Sequence, residues 1–488
     1  MSLADLPGGR CYNLAVARLN FLSIDEESLV HSKSIDCLEN IGILVRSPKI
    51  LQMLGEHGAD IDESKMIARL PEDMVKEAVK KAPKRIKMCS RDGRHDLELP
   101  VDGVPYVGTN GIGTYMTDLE TGKKRTTTRK DIADFARLTD ALDGMDFFWA
   151  NVTAYDVPES LHMVHALWTA LNNCTKNYGG LTLSPNDARA QIELASLIAG
   201  GEEELRKRPL FHTLCCVVAP LSFERGAVEG QAELAKAGIP IVSMSMSLGG
   251  MSAPVTLAGT IVNANAENLA SLVITQCASP GAPHIYCAES TIADMNTGGF
   301  SYSTVEYALI SAAAGQMAKR YGLPAYTGSW GVGGERPGFV LSFTQALWIS
   351  ISMLASTDMA AGAGQIEDAK GGSLEQLLLD SYLWENYRGV LRKHLVNEET
   401  IDLELVREVG QGNTFLTHPH TAKNFKNQIF FPDRRKMKWE ATLSDGMILE
   451  AREEVKRILR DHEVEPIDPD ILRKGNEMLR GYEKNLPH

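Results

Sequence analysis

Apolar residues recur at helical spacing from about Ser23 to Val45: Ile24, Leu29, Ile35, Leu38 and Ile41 share one face, and Gly42 suits a C-terminal stop. Shorter helices are expected near residues 48–57 and 71–82. With the polar stretch up to Leu99 they predict an N-terminal helical appendage over residues 1–100, in which strands and helices do not alternate.

From Val104 the pattern changes to short β-rich runs at 104–108, 147–154, 176–183, 210–219, 239–246, 283–289, 324–329 and 356–363. Amphipathic stretches follow them near 128–142, 157–173, 185–199, 222–237, 253–279, 303–321, 339–355 and 373–393. Eight alternations over residues 101–395 predict a TIM (β/α)8 barrel; the rival architecture is an open doubly wound sheet. Thr128 with Asp131, and Asp156 with Glu159, have capping-box spacing, and Pro158 and Pro254 suit first helical turns. Val157, Leu161, Val164, Trp168 and Leu171 form a stripe that should pack on the strands. Beyond residue 395 the alternation stops. Residues 396–488 read as an irregular linker, Thr414 to Pro432, and two exposed, charged helices at 441–461 and 470–483.

Composition narrows the function. The 488 residues are 44% hydrophobic and 23% charged, as in an ordinary globular protein, and a net charge of −13 argues against a nucleic-acid partner. Cys11, Cys37, Cys89, Cys174, Cys215, Cys216, Cys277 and Cys287 form no CxxC pair, so reduced thiols in a cytoplasm are expected. No secretory signal is visible at the N-terminus. The uncharged stretch Ala237–Ala266 is interrupted by Pro240, Gly249, Gly250, Pro254 and Gly259, which reads as a buried strand, turn and helix and not as a membrane span.

Gly108, Gly111 and Gly113 lack the order and the following helix of a dinucleotide loop, and read as a turn leaving the first strand. Gly249 and Gly250 could present backbone N–H groups to an anion, or merely turn the chain. No metal site is expected: His284 and Cys287 should point to opposite faces of a strand, His418 and His420 lie outside the barrel, and His212 and His284 begin strands. Barrel enzymes draw their chemistry from strand C-termini, which here carry Asn110, Asn151, Tyr155, Thr182, Ser247, Glu289, Ser329, Trp330, Gln365, Glu367 and Asp368. No Ser/His/Asp order or carboxylate pair stands out for hydrolysis, and no cluster supports a lyase or isomerase. Tyr115, Tyr155, Tyr286, Tyr302, Tyr326, Trp330, Phe339 and Phe343 gather near the mouths, and such a ring would suit a quaternary ammonium.

The runs GGMSAPVTLAGTIVNANAENLASLVITQCASPGAPHIYC, DMNTGGFSYSTVEYALISAAAGQMAKRYGLP and FLTHPHTAKNFKNQIFFP, with Trp439 and the opening LSIDEESLVHSKSIDCLENIGILV, resemble the trimethylamine methyltransferase family over nearly the whole chain. The resemblance implies a TIM barrel that passes a methyl group from a methylated amine to the Co(I) corrinoid of a separate carrier protein, with no cofactor bound permanently. Trimethylamine members carry pyrrolysine beyond the seventh strand, where residues 328–338 here read GSWGVGGERPG. That departure implies a betaine-type member acting on a quaternary amine: glycine betaine first, or proline betaine, carnitine or butyrobetaine. The expected catalytic residues are Glu289 and Trp330. The expected substrate-binding residues are Asn110, Asn151, Tyr155, Tyr326, Arg336, Phe339, Phe343, Gly249 and Gly250. Arg336 or the 249–252 turn would meet a betaine carboxylate. The alternatives are a trimethylamine-type methyltransferase, or a binder of methylated amines or corrinoid protein without turnover. Phe339 to Thr357 carries no charge, which predicts a homodimer or higher homo-oligomer.

Overall fold

The computed structural model describes residues 19–101, 103–109, 111–302, 304–329, 337–338, 343–355, 357–391, 396–428 and 445–485. Its centre is a parallel eight-stranded sheet: β1 Tyr106–Thr109, β2 Phe148–Trp149, β3 Tyr178–Leu181, β4 Phe211–Val217, β5 Ile241–Ser245, β6 His284–Ala288, β7 Ala325–Ser329 and β8 Met359–Ala363. The hydrogen-bonded order runs β1, β8, β7, β6, β5, β4, β3, β2. A parallel bridge from Gly108 to Phe147 joins β1 to β2 and closes the ring. The helices that follow the strands are α1 Arg129–Ala141, α2 His162–Asn173, α3 Pro185–Ala199, α4 Arg225–Ala237, α5 Leu257–Ala278, α6 Val305–Arg320, α7 Phe343–Leu354 and α8 Leu374–Leu391. Every expected run holds a strand, and every expected stretch a helix.

Side-chain alternation along β6 fixes what faces the barrel interior. The His284 Nδ1 lies 3.0 Å from the Thr275 hydroxyl of α5, and the Tyr286 hydroxyl donates to Asn265 Oδ1 of α5 at 3.1 Å. Both therefore point outward, so Ile285, Cys287 and the next position, Glu289, point inward. Burial holds the His284 and His212 imidazoles near pKa 3, in the neutral form of core histidines.

Capping behaves as expected at one helix and not at another. The Thr128 N–H and hydroxyl both donate to Asp131 Oδ2, at 2.7 and 2.9 Å, and α1 starts there. Asp156 instead accepts the Arg129 N–H at 2.6 Å, capping the neighbouring helix, and α2 begins only at His162 after a single 3-10 turn, Glu159–Leu161. Pro254 likewise precedes its helix, whose first residue is Leu257.

The N-terminal segment is not purely helical. Ile43–Val45, Asp60–Asp62 and Ile67–Arg69 form a small sheet that takes Ser222–Phe223, from the loop after β4, as its fourth strand. Three-residue strands are too short to show a period of two, which is why the sequence pattern hid them. Gly42 does stop the first helix: its φ is +81°, and a Cβ there would lie 2.6 Å from the Ala68 carbonyl oxygen. The segment covers α5 and α6. Ser34 accepts from Asn265 at 2.8 Å, and Gln316 Oε1 accepts the N–H groups of Phe21 and Leu22. Leu269, Leu272, Val273 and Ile274 of α5 are thereby fully buried, each contributing roughly 1.5–3 kcal/mol.

The C-terminal helices, Asp445–Asp461 and Pro469–Lys484, are less exposed than their charge suggests. Val455 and Leu479 are buried, Arg452 pairs at 3.0 Å with the fully buried Glu375 of α8, and the Trp168 indole donates to Asn476 at 2.9 Å. Among the described residues no helix is long and apolar enough to cross a membrane.

Candidate active site

Glu289 follows β6 at the C-terminal mouth, where its backbone N–H still donates to Ser245 of β5. Enclosure raises its carboxyl pKa to about 7, against the opposing pull of a hydrogen bond from Tyr307. The Tyr307 hydroxyl reaches Glu289 Oε2 at 2.8 Å from the first turn of α6, which is capped when the Thr304 hydroxyl accepts the Tyr307 N–H at 3.1 Å. Tyr302, in the loop after β6, sets its ring edge-on to both Tyr307 and Phe300, with centroids 5.3 Å apart in each case. Its hydroxyl contacts the sulfur of Met246, just past β5, at 3.7 Å. The result is a carboxylate bonded to the first of three aromatic rings in successive edge-on contact.

The loop after β8 completes the rim. Glu367, Asp368 and Ala369 all have left-handed backbone, with φ of +50°, +49° and +72°, a strain that surrounding contacts must hold in place. Asp368 Oδ1 accepts from the Tyr302 N–H at 3.2 Å and from the Ser301 hydroxyl at 3.1 Å. Glu367 accepts from the Tyr115 hydroxyl and pairs with Lys124, whose ammonium sits 4.6 Å from the Tyr115 ring centre. Among the described residues no Lys, Arg or His pairs with Glu289, and no group of three His, Cys, Asp or Glu is gathered to hold a metal ion. Burial pushes the Cys216 thiol up to about 11 and the Cys287 thiol higher still, so neither is a ready nucleophile.

A family model described as "Trimethylamine methyltransferase (MTTB)" matches residues 10–483. The chain belongs to the trimethylamine methyltransferase family. It is 31% identical to trimethylamine methyltransferase MttB1 of Methanosarcina mazei over 95% of this chain and 97% of that protein. It is 25% identical to the glycine betaine methyltransferase of Desulfitobacterium hafniense, over 85% of this chain and 86% of that one. The solved monomethylamine methyltransferase of Methanosarcina barkeri is 12% identical, with a TM-score of 0.48 over 89% of this chain and 92% of its own, too distant to inform the site. Family membership makes the chain an enzyme of the methyltransferase class.

Within this methyltransferase the expected site residues scatter. Asn151 is buried at the end of β2, where its Nδ2 donates to the Ala363 carbonyl at 2.9 Å, and its Oδ1 has no partner among the described residues. Tyr326 is buried, its ring 6.0 Å from that of Phe147, and burial, with Cys287 and Glu289 nearby, raises its hydroxyl well above the usual range. Tyr155, in the loop after β2, packs its ring on His162 of α2 and is 51% exposed. The Gly249–Gly250 turn offers no free anion cradle, because the N–H groups of Gly250, Met251, Ser252 and Ala253 all donate within the turn, and α5 starts seven residues after Gly250. Asn110, Trp330, Arg336 and Phe339 lie outside the described residues, as does the side chain of Phe343 at the start of α7.

Ser247, at the end of β5, is spent on structure: with Ser245, Asn263 and the Leu221 N–H it donates to Glu267 of α5, a carboxylate satisfied on all sides. Tyr307 and Met246 were missed by sequence reasoning. The spacing of Thr304 and Tyr307, an N-cap and the third residue of its helix, was the available signal, since first-turn residues of barrel helices border the mouth. A flank groove of about 880 Å³ runs between α1, α2 and the segment 462–476, and none of its lining residues belongs to the Glu289 cluster.

Proposed function

We propose that this enzyme moves a methyl group from a quaternary amine, glycine betaine first among them, to the Co(I) corrinoid of a separate carrier protein in the cytoplasm. Proline betaine, carnitine and butyrobetaine form the wider substrate class. One observation carries the reading: Glu289 is an enclosed carboxylate that accepts from Tyr307, whose ring packs edge-on against Tyr302, and it has no cationic partner among the described residues. Such a group is poorly solvated when charged, so a positive ligand that arrives without water stabilises it. Aromatic rings add an attraction of about 0.5–2 kcal/mol each for a cation held over their faces. The ordinary residues at 328–338 support a quaternary over a tertiary amine, and a glycine betaine methyltransferase is among the chain's relatives.

A quaternary nitrogen has no lone pair to protonate. When its N–CH3 bond breaks, the bonding electrons stay on nitrogen and a neutral tertiary amine departs, so no general acid is required. When docked, the corrinoid supplies the strong nucleophile that takes the methyl group. The chain's own residues then have three tasks. Glu289 holds the ammonium, the ring cluster of Tyr302, Tyr307 and Phe300 excludes water, and Arg336, placed by its position beyond β7, would meet the betaine carboxylate. Trp330, Phe339 and Phe343 are proposed as further walls from chain position alone. A partner protein fits the mouth, because loops after β3 to β6 expose Leu183, Val218, Met251, Val255 and Met295 around it, at 49–75% of their surfaces.

Calorimetric titration tests the binding half. Glycine betaine is expected to bind and trimethylamine not to, and Trp330→Ala should weaken betaine by about 1–2 kcal/mol with its melting temperature unchanged. Equal affinity for the two amines would move the reading to trimethylamine, and an unaffected Trp330→Ala would make that residue structural.

The uncharged segment Phe339–Thr357 further suggests a homodimer through α7. At micromolar concentration, sedimentation should give about twice the 53.4 kDa chain mass. A clean monomer would assign the cover of α7 to the chain's own N-terminal segment, whose Leu19 N–H donates to the Leu354 carbonyl at 2.9 Å.

A further inference from the structure

Asp368 belongs to the loop after β8, yet both of its described side-chain contacts are to the loop after β6, across the end of β7. One carboxylate oxygen receives the Tyr302 backbone N–H and the Ser301 hydroxyl. The Tyr302 that it anchors is the ring that touches Met246 on one side of the mouth and Tyr307, the partner of Glu289, on the other. The loop carrying Tyr302 includes Gly298 and Gly299; its described residues pair at Thr291–Ile292 with Leu248–Gly249, bridge Ala293 to Phe300, and bond internally where the Thr291 hydroxyl donates to the Ser301 carbonyl at 3.1 Å. The Asp368 carboxylate adds to these an anchor from outside the loop, at the backbone of the residue that carries the ring. Three consecutive left-handed residues, 367–369, aim the Asp368 side chain at that loop, a conformation that the contacts must offset.

We propose that Asp368 is a positioning residue that clasps the loop after β6 to the loop after β8 and thereby fixes Tyr302 as a wall of the amine site. The proposal rests on the function given above for the Glu289 cluster. Asp368 touches no reacting atom; it acts through Tyr302. The clasp therefore governs how tightly the amine is held far more than how fast the bound amine reacts.

The left-handed φ at Asp368 dictates the variants. Alanine would add backbone strain of its own, so Asp368→Gly removes the acceptor without it, and Asp368→Asn keeps both the acceptor oxygen and a tolerated backbone. In the full-length enzyme, hydrogen exchange at the Tyr302 amide should speed by tenfold or more in Asp368→Gly and stay near the parent rate in Asp368→Asn. KM for the amine should rise about tenfold in Asp368→Gly with kcat within about threefold, and Asp368→Asn should restore it. Tyr302→Ala should raise KM similarly, and adding Asp368→Gly to it should change little more.

Unchanged Tyr302 exchange in Asp368→Gly would overturn the clasp, as would an Asp368→Asn variant as impaired as Asp368→Gly, which would make charge the operative property. If the parent enzyme takes no quaternary amine, the functional reading fails on its own. The exchange measurement then still decides the clasp, because it needs no substrate.

Discussion

Glu289→Gln is expected to weaken quaternary amine binding on the order of 100-fold, about 3 kcal/mol, while leaving the protein as stable as before or more so. The two effects have opposite signs because Glu289 is held for a ligand and not for the fold. Its folded pKa, about 7, lies above the ordinary value of 4.5. Stability from this group is therefore complete below about pH 4.5 and is lost as pH rises towards 7. The ionised side chain then costs the fold at most about 3 kcal/mol, less the share relieved by solvent still reaching it at the mouth. Glutamine keeps a partner for the Tyr307 hydroxyl and removes the charge, so its melting temperature should match or exceed the parent's at pH 8 and show no gain at pH 4. Asp380, buried beside Gly364, is also pushed up to about 7, so only the difference between variant and parent isolates Glu289. A variant that loses stability at pH 8 and keeps amine affinity would place Glu289 in the scaffold.

The same linkage gives amine binding a pH dependence that the amine itself lacks, since a quaternary nitrogen does not titrate. Affinity should be flat above about pH 8 and fall roughly tenfold per unit below about 7, with one proton released per amine bound on the acid side. Tyr302, Tyr307, Cys216 and Cys287 are all raised by burial and stay silent in this range. Calorimetry in buffers of different ionisation enthalpy reads the proton directly. A pH-independent affinity, or proton uptake, would remove Glu289 from the ammonium site.

The barrel was legible because each strand is a buried run set between helices with an apolar face, and the Thr128 and Asp131 cap announced its first helix. Asp156 and Glu159 mimicked that signal. Sequence spacing cannot tell a residue capping its own helix from one reaching across to a neighbour, and Asp156 serves Arg129. Gly249 and Gly250 misled for a related reason: a turn rich in glycine N–H groups suits an anion only if the turn does not consume them. Glu289 could be found from its place after β6. Its link to Tyr307, eighteen residues on, could not, because only the packing of α6 on the barrel brings them together. The Asp368 contact with Tyr302 is longer in range still and joins two loops by one oxygen atom.

The central claim is methyl transfer from a quaternary amine, and one measurement meets it directly. The full-length enzyme is mixed with a carrier protein whose corrinoid is reduced to Co(I), and the absorbance of methyl-Co(III) is followed with glycine betaine or trimethylamine as the only donor. Methyl-Co(III) should form with glycine betaine, leaving the amine one methyl group shorter, and should not form with trimethylamine. Transfer from trimethylamine as fast as or faster than from glycine betaine would contradict it.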